Sequence, residues 1–141
     1  YLVASWFNRK VRVATSSFST NRTTTSTTPV ELGTEIRCAV ALWADEAVSV
    51  GVTFVVNNPA TEGVATRIAF DGTSPENDLA SNQAATASLS LGAAISYHKL
   101  GLSEGTHYVT LLGNTSAGGT GTWLSDGAAG GRFTSIALRA G

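Results

Sequence analysis

The chain has 141 residues, of which 43% are hydrophobic and only 13% charged, with a formal net charge of −1. One domain with a sizeable core is expected at this length, and the near-neutral balance excludes a broad electrostatic drive toward nucleic acid or an anionic membrane. The single cysteine, Cys38, excludes an intramolecular disulfide scaffold, and the longest apolar run, Cys38 to Ala44, is too short to span a bilayer.

Charged residues usually make up about a quarter of a globular chain, and here Ser and Thr take their place. No signal peptide is visible. The chain starts at Tyr1 and contains no Met, so we expect residues 1–141 to be one domain, the C-terminal part of a longer or processed protein.

Trp6-Phe7-Asn8 reads as an entry segment that docks on the body. Arg9 to Val13 reads as a short strand, with Phe18 anchoring the end of the stretch. Ser19 to Thr28, a hydroxyl-rich run with little to bury, reads as a loop or exposed edge. Asn21-Arg22-Thr23 and Asn114-Thr115-Ser116 match the glycosylation triplet, a weak signal in a Thr-rich chain. Pro29 to Gly33 predicts a short strand and turn.

The segment Glu35 to Asn57 organises the rest. Ile36, Cys38, Val40 and Leu42 alternate on one face of a first strand, and Val48, Val50, Val52, Phe54 and Val56 on one face of a second. An acidic turn at Asp45-Glu46 is expected to join them as a hairpin, with both carboxylates facing water. The other face of the first strand carries Ala39, Ala41 and Trp43 where polar groups are expected against water. We therefore read it as covered, with Trp43 at a subunit interface.

Asn57 to Gly63 reads as a loop and Val64 to Phe70 as a strand. Thr73 to Ala85 is a polar loop. Thr86 to Leu100 predicts a long strand with Leu89, Leu91, Ala93, Ile95 and Tyr97 on one face and a bulge or kink near Gly92. Gly101 to Gly105 is a turn, Thr106 to Leu112 a strand, Gly118 to Gly121 a glycine-rich turn and Thr122 to Leu124 a short strand. Asp126 to Gly131 is a loop before the closing strand, Arg132 to Arg139. With no sustained helical period, the chain reads as all-β: an antiparallel jelly-roll β-sandwich of roughly eight strands.

Little in the chain points to catalysis. No nucleophile motif, phosphate loop or convincing carboxylate pair is present, so neither catalytic residues nor cofactors are expected. His98 and His107 flank the Gly101 to Gly105 turn, and a hairpin there would bring them together beside Glu104. Two histidines and one carboxylate fall short of a dedicated metal site, so no metal is expected, and His107 reads as a hydrogen-bonded filler beside Val109 and Leu111. Trp123, between a glycine-rich turn and a loop, is expected to be exposed and available for stacking. Candidate receptor-binding positions lie in three loops: Asn21, Arg22 and Thr23; Ser74, Glu76, Asn77 and Asp78; and Trp123 with Asp126.

The segment Leu102-Ser103-Glu104-Gly105-Thr106-His107-Tyr108-Val109-Thr110-Leu111 is similar to a late strand, G-x-H-x-V-x-L, of the tumour necrosis factor and complement globular-head type of jelly roll. Arg132-Phe133-Thr134-Ser135-Ile136-Ala137-Leu138 resembles the final R-x-x-x-I-x-L strand of those domains, versions of which cap bacteriophage fibres and spikes. The low charge and the Ser, Thr, Gly and Ala content fit the phage versions. The resemblance covers the last third of the chain, and the long Ala/Gly-rich loop before the closing strand departs from it. It implies a homotrimer, with Ala39, Ala41 and Trp43 as candidate interface, on the virion surface. The implied partners are other virion proteins and a host-surface glycan or protein; no nucleic acid and no membrane insertion are expected. The alternatives are a purely structural capsid decoration or head-fibre protein, and a carbohydrate-binding module.

Overall fold

A computed structural model describes residues 11–57, 63–76, 81–83, 90–125 and 134–141. The expectations for Trp6-Phe7-Asn8, Arg9 and Lys10, Asn58 to Glu62, Asn77 and Asp78, Thr86 to Leu89, Asp126 to Gly131, and Arg132 and Phe133 fall outside these residues.

Strands follow in the order β1 (Arg12–Ser17), β2 (Arg22–Thr24), β3 (Val30–Glu31), β4 (Cys38–Leu42), β5 (Val48–Asn57), β6 (Val64–Phe70), β7 (Ser81–Gln83), β8 (Ser90–Lys99), β9 (Gly105–Thr115), β10 (Gly121–Trp123) and β11 (Ser135–Ala140), with one 3-10 turn at Thr34–Ile36. They form two antiparallel sheets, the layers of a jelly-roll sandwich. In the six-stranded sheet, β8 pairs with all ten residues of β5 on one side. On the other side, β11 covers Val48 to Thr53 and β10 covers Val56 and Asn57. Outside these lie β1 on β11 and β2 on β10. In the five-stranded sheet, β9 is central, with β3 and β4 on one side and β6, itself paired to β7, on the other.

The expected hairpin of β4 and β5 does not form. The first strand pairs with β9, from Cys38 opposite Val109 to Leu42 opposite Gly105, while β5 belongs to the other sheet. Alternation fixes which face of a strand is buried, but says nothing about which edge it pairs with. A turn closed by the Glu46 amide donating to the Trp43 carbonyl, 3.0 Å, lies where the chain passes from one sheet to the other. The Gly101 to Gly105 segment makes the same kind of crossing, so His98 and His107 lie on opposite sheets. The register through Leu91, Gly92 and Ala93 is unbroken against Val56, Val55 and Phe54, so no bulge occurs at Gly92. Among the described residues the first strand runs from Arg12 to Ser17, past the expected end at Val13, and Ile36 belongs to the 3-10 turn rather than to β4. The strands beyond the expected eight include short edge pieces in segments read as loops, such as β2 and β7.

Between the sheets, Val48, Val50, Val52, Phe54 and Val56 of β5 meet Cys38, Val40 and Leu42 of β4, Val109 and Leu111 of β9, Ile68 of β6, and Ile136 and Leu138 of β11. Phe18 is fully buried, as its anchoring role requires. Trp123 also has no exposed surface, which corrects the expectation that it is available for stacking. Its indole Nε1 donates to the buried Thr66 hydroxyl, 2.8 Å. Glycines make the slot: a Cβ on Gly113 would lie 2.5 Å from the Trp123 ring and 2.6 Å from Leu32.

Candidate binding site

The corner between β4 and β5 is built from β-rich sequence on both sides and a single buried acid. Glu46 was expected to face water, yet it is only 4% exposed. Its Oε2 accepts from the Trp43 backbone amide, 2.8 Å, and forms an ion pair with the Arg12 guanidinium from β1. The other oxygen, Oε1, is buried without a hydrogen-bond partner, as is Nε of Arg12. One carboxylate thus ties the start of β1 to the end of β4.

Beside this tie lies a cavity of about 210 Å³. Ala41, Leu42 and Trp43 form one part of its lining, Gly105 and Thr106 another, and Arg12 and Glu104 supply its charged groups. The lining is largely apolar, and Trp43 is half-buried. Gly105 has φ +141, and a Cβ there would meet nothing within 4 Å, so its backbone faces open space. Ala41 and Glu104 are exposed. Sequence reasoning singled out Trp43 and missed Arg12, Glu46 and Gly105, because no local pattern shows that an acid in a turn will be buried by a strand 34 positions earlier.

The loop before β9 is held separately. His107 Nδ1 lies 2.6 Å from Asp71 Oδ2, and Nε2 lies 2.8 Å from the Ser103 carbonyl. Both partners are acceptors, so both ring nitrogens must donate and the imidazolium is the form this geometry holds. The Asp71 carboxylate, with help from the Ser103 carbonyl, pushes the His107 pKa above its usual value, against the opposing effect of burial. Asp71 Oδ1 also accepts from the Tyr108 amide. His98 instead shares a hydrogen bond with Ser49, 2.9 Å. Among the described residues no group of three or more His, Cys, Asp or Glu side chains converges as metal ligands would.

Of the three loops proposed from sequence, the Asn21 to Thr23 segment and Trp123 lie side by side, and the loop of Ser74 and Glu76 lies apart from both. Arg22 pairs with Trp123, which pairs with Val56, at one end of β5. Glu76 binds Lys99, 2.7 Å, and Lys99 lies opposite Val48 at the other end. Eight residues of strand separate them, about 27 Å. Several of the proposed contacts are engaged within the fold. Arg22 Nε donates to Glu35, 2.9 Å; Asn21 Oδ1 accepts from the Ser125 amide; Glu76 accepts from the Tyr97 hydroxyl, 2.9 Å, as well as from Lys99. Thr23 and Ser74 are exposed, and Asn77, Asp78 and Asp126 lie outside the described residues.

The two sheets present different outer faces. On the five-stranded sheet, Ala39 and Ala41 are exposed beside a polar cluster. There Arg37 forks onto Glu31 through two bonds of 2.8 Å, lies 4.6 Å from the centre of the Tyr108 ring, and leaves Glu31 to accept also from Thr110. Arg37 first, and Thr110 after it, hold the Glu31 carboxyl below its usual range against desolvation. The six-stranded sheet differs. Its outward rows read Val13, Arg139, Ser49, His98; then Thr15, Ala137, Gly51, Ser96; then Ser17, Ser135, Thr53, Ala94. Only Arg139 in these rows is a permanent charge, and most of the side chains are no larger than Thr.

No protein-family model matches the chain. No curated protein matches it either. Solved structures do. The chain is similar to one in the T13 particle of infectious bursal disease virus, at 14% identity and a TM-score of 0.50, over 94% of this chain and 35% of that one. It is similar to a chain of the Gx strain of the same virus, at 12% identity and a TM-score of 0.49, over 93% of this chain and 36% of that one. It is also similar to Eiger TNF from S. frugiperda, at 13% identity and a TM-score of 0.49, over 93% and 92% of the two chains. This chain spans about a third of the viral chains it matches. At such identities the likeness to the T13 particle establishes the jelly-roll fold.

Proposed function

We propose that this chain is a virion structural protein without catalytic activity, the jelly-roll head of a phage fibre or spike, which assembles as a homotrimer and attaches to a host surface. The observation that carries this reading is the outer face of the six-stranded sheet. A solvated sheet face normally carries long polar and charged side chains. Twelve outward positions in three rows across four strands are almost free of them, which lets a different surface of a neighbouring copy approach closely, the heterologous contact that a threefold ring needs. Val13, at one margin of this face, is 68% exposed, as expected of a residue covered only in the assembly.

In this reading the contact lies on the six-stranded sheet rather than on the Ala39, Ala41 and Trp43 row expected from sequence. The likeness to a chain of a viral particle supports a virion setting. Among the described residues, Glu31, Glu35, Glu46, Asp71 and Glu76 accept hydrogen bonds within the fold. Native mass by light scattering on a sizing column tests the assembly. Three chain masses support the reading, and one chain mass overturns it.

A further inference from the structure

We propose that the crossing from Leu100 to Gly105 is a strap latched by the His107 imidazolium and released when that ring loses a proton.

The strap carries the chain from β8 in one sheet to β9 in the other. A glycine with positive φ stands near each end, +74 at Gly101 and +141 at Gly105. Glycine adopts such angles at little steric cost, so both ends can change direction. Between them Ser103 and Glu104 are exposed, while Leu102 is partly buried against the core. Leu102 is the apolar hold on the strap, and the Ser103 carbonyl is the polar one.

The polar hold needs two N–H groups on one ring. His107 Nε2 donates to the Ser103 carbonyl, 2.8 Å, and Nδ1 to Asp71 Oδ2, 2.6 Å. A neutral imidazole has one N–H and one lone pair, so after deprotonation one of these acceptors faces a lone pair. Asp71 is the firmer partner. Its φ is +54, its amide donates to the Tyr108 carbonyl, 3.0 Å, and its Oδ1 accepts from the Tyr108 amide, 2.9 Å. Its bond to Nδ1 is also the one assisted by a carboxylate charge. The remaining proton therefore stays on Nδ1, and the Ser103 carbonyl loses its donor. Leu102 alone then holds the strap.

Asp71 is the charge that sets the ring's titration. Opposite His107, β4 presents Val40, with the buried Cys38 thiol two positions away. Lys99 on β8 is held by Glu76, and Arg12 on β1 by Glu46. Tyr108, Arg37 and Glu31 cluster on the outer face of the sheet, and Glu104 is exposed on the strap itself. Asp71 chiefly, with the Ser103 carbonyl, keeps the ring protonated above its ordinary range against burial. The strap is thus latched at lower pH and opens as pH rises through the folded pKa. Because Glu104 and Gly105 line the cavity beside β4, opening loosens one of its walls and uncovers Leu102.

The test is amide relaxation of the whole protein across a pH series, with the His107 ring shifts read in the same samples. Wild type, Asp71→Asn and His107→Gln are compared. Expected in wild type are order parameters at Leu102, Ser103 and Glu104 that fall from about 0.85 to below about 0.6 through the ring's own titration, while Val109 to Leu112 stay near 0.85. Asp71→Asn should move the ring and strap transitions together to lower pH, and His107→Gln should show no transition. A strap that stays rigid while the ring titrates overturns the latch. So does a loss of order shared with Val109 to Leu112, which would make the effect global weakening. A strap transition that survives in His107→Gln, or that stays in place when Asp71→Asn moves the ring, also overturns it. The wild-type series decides the matter even where a variant fails to fold.

Discussion

Glu46 shows most clearly how one residue can govern a site. Its side chain is 3% exposed and its ion-pair partner Arg12 is 28% exposed. Glu46→Gln keeps the shape and removes the counter-charge. The guanidinium then remains partly desolvated without compensation. We expect a loss of about 2 kcal/mol, below the range for a fully buried broken pair because Arg12 retains some water. The midpoint of denaturant unfolding measures it; an unchanged midpoint would show that the tie is not structural. His107 acts at the same scale through pH. Its folded pKa lies above the unfolded value of about 6.5. The contribution is therefore fully present below that value and is lost as pH rises through the folded pKa. Asp71→Asn removes the main cause, so the variant should show a shallower decline in unfolding midpoint above pH ~6.5 than wild type. Equal slopes would rule out this pair as the source. Cys38 is the residue read most simply from sequence. It is 2% exposed, and burial raises its thiol pKa, so it packs as a small hydrophobe and is poorly reactive.

At the scale of elements, the chain disclosed its strands better than their partners. The alternation of Val48 to Val56 named the buried side of β5 correctly, and every one of those five residues is buried. Nothing in that period could reveal that β4 pairs with β9, a strand some sixty positions away, because pairing depends on how two sheets stack. Trp123 was misread for a related reason. The glycines before it signalled a turn, but the slot that buries its ring is made by Gly113, on a different strand and in the other sheet. The consequence is measurable. Gly113→Ala forces a methyl into the Trp123 ring and should destabilise by about 1–3 kcal/mol. Trp123→Phe leaves a cavity and strands the Thr66 hydroxyl, and should destabilise by about 2–3 kcal/mol. Thermal unfolding of the two variants checks both, and a neutral Gly113→Ala would show that the ring has room to shift.

For the whole molecule, the sandwich has one outer face that is chemically quiet and one corner that is equipped. The fold class was legible from period and composition, because an all-β chain with low charge and no helical period has few architectures open to it. The site was legible only as Trp43. Its supports, Arg12 on β1 and Gly105 on β9, are far apart in sequence and converge only once the crossings between sheets are made. The division of labour between the faces is the central claim, and sedimentation velocity on wild type and Ala137→Arg tests it most directly. Ala137 is exposed at the middle of the six-stranded face, beside Gly51 and Thr15, so a long cation there should block close packing without touching the core. The account predicts a trimer for wild type and a folded monomer for the variant. A monomeric wild type, or a variant that remains trimeric, would contradict it.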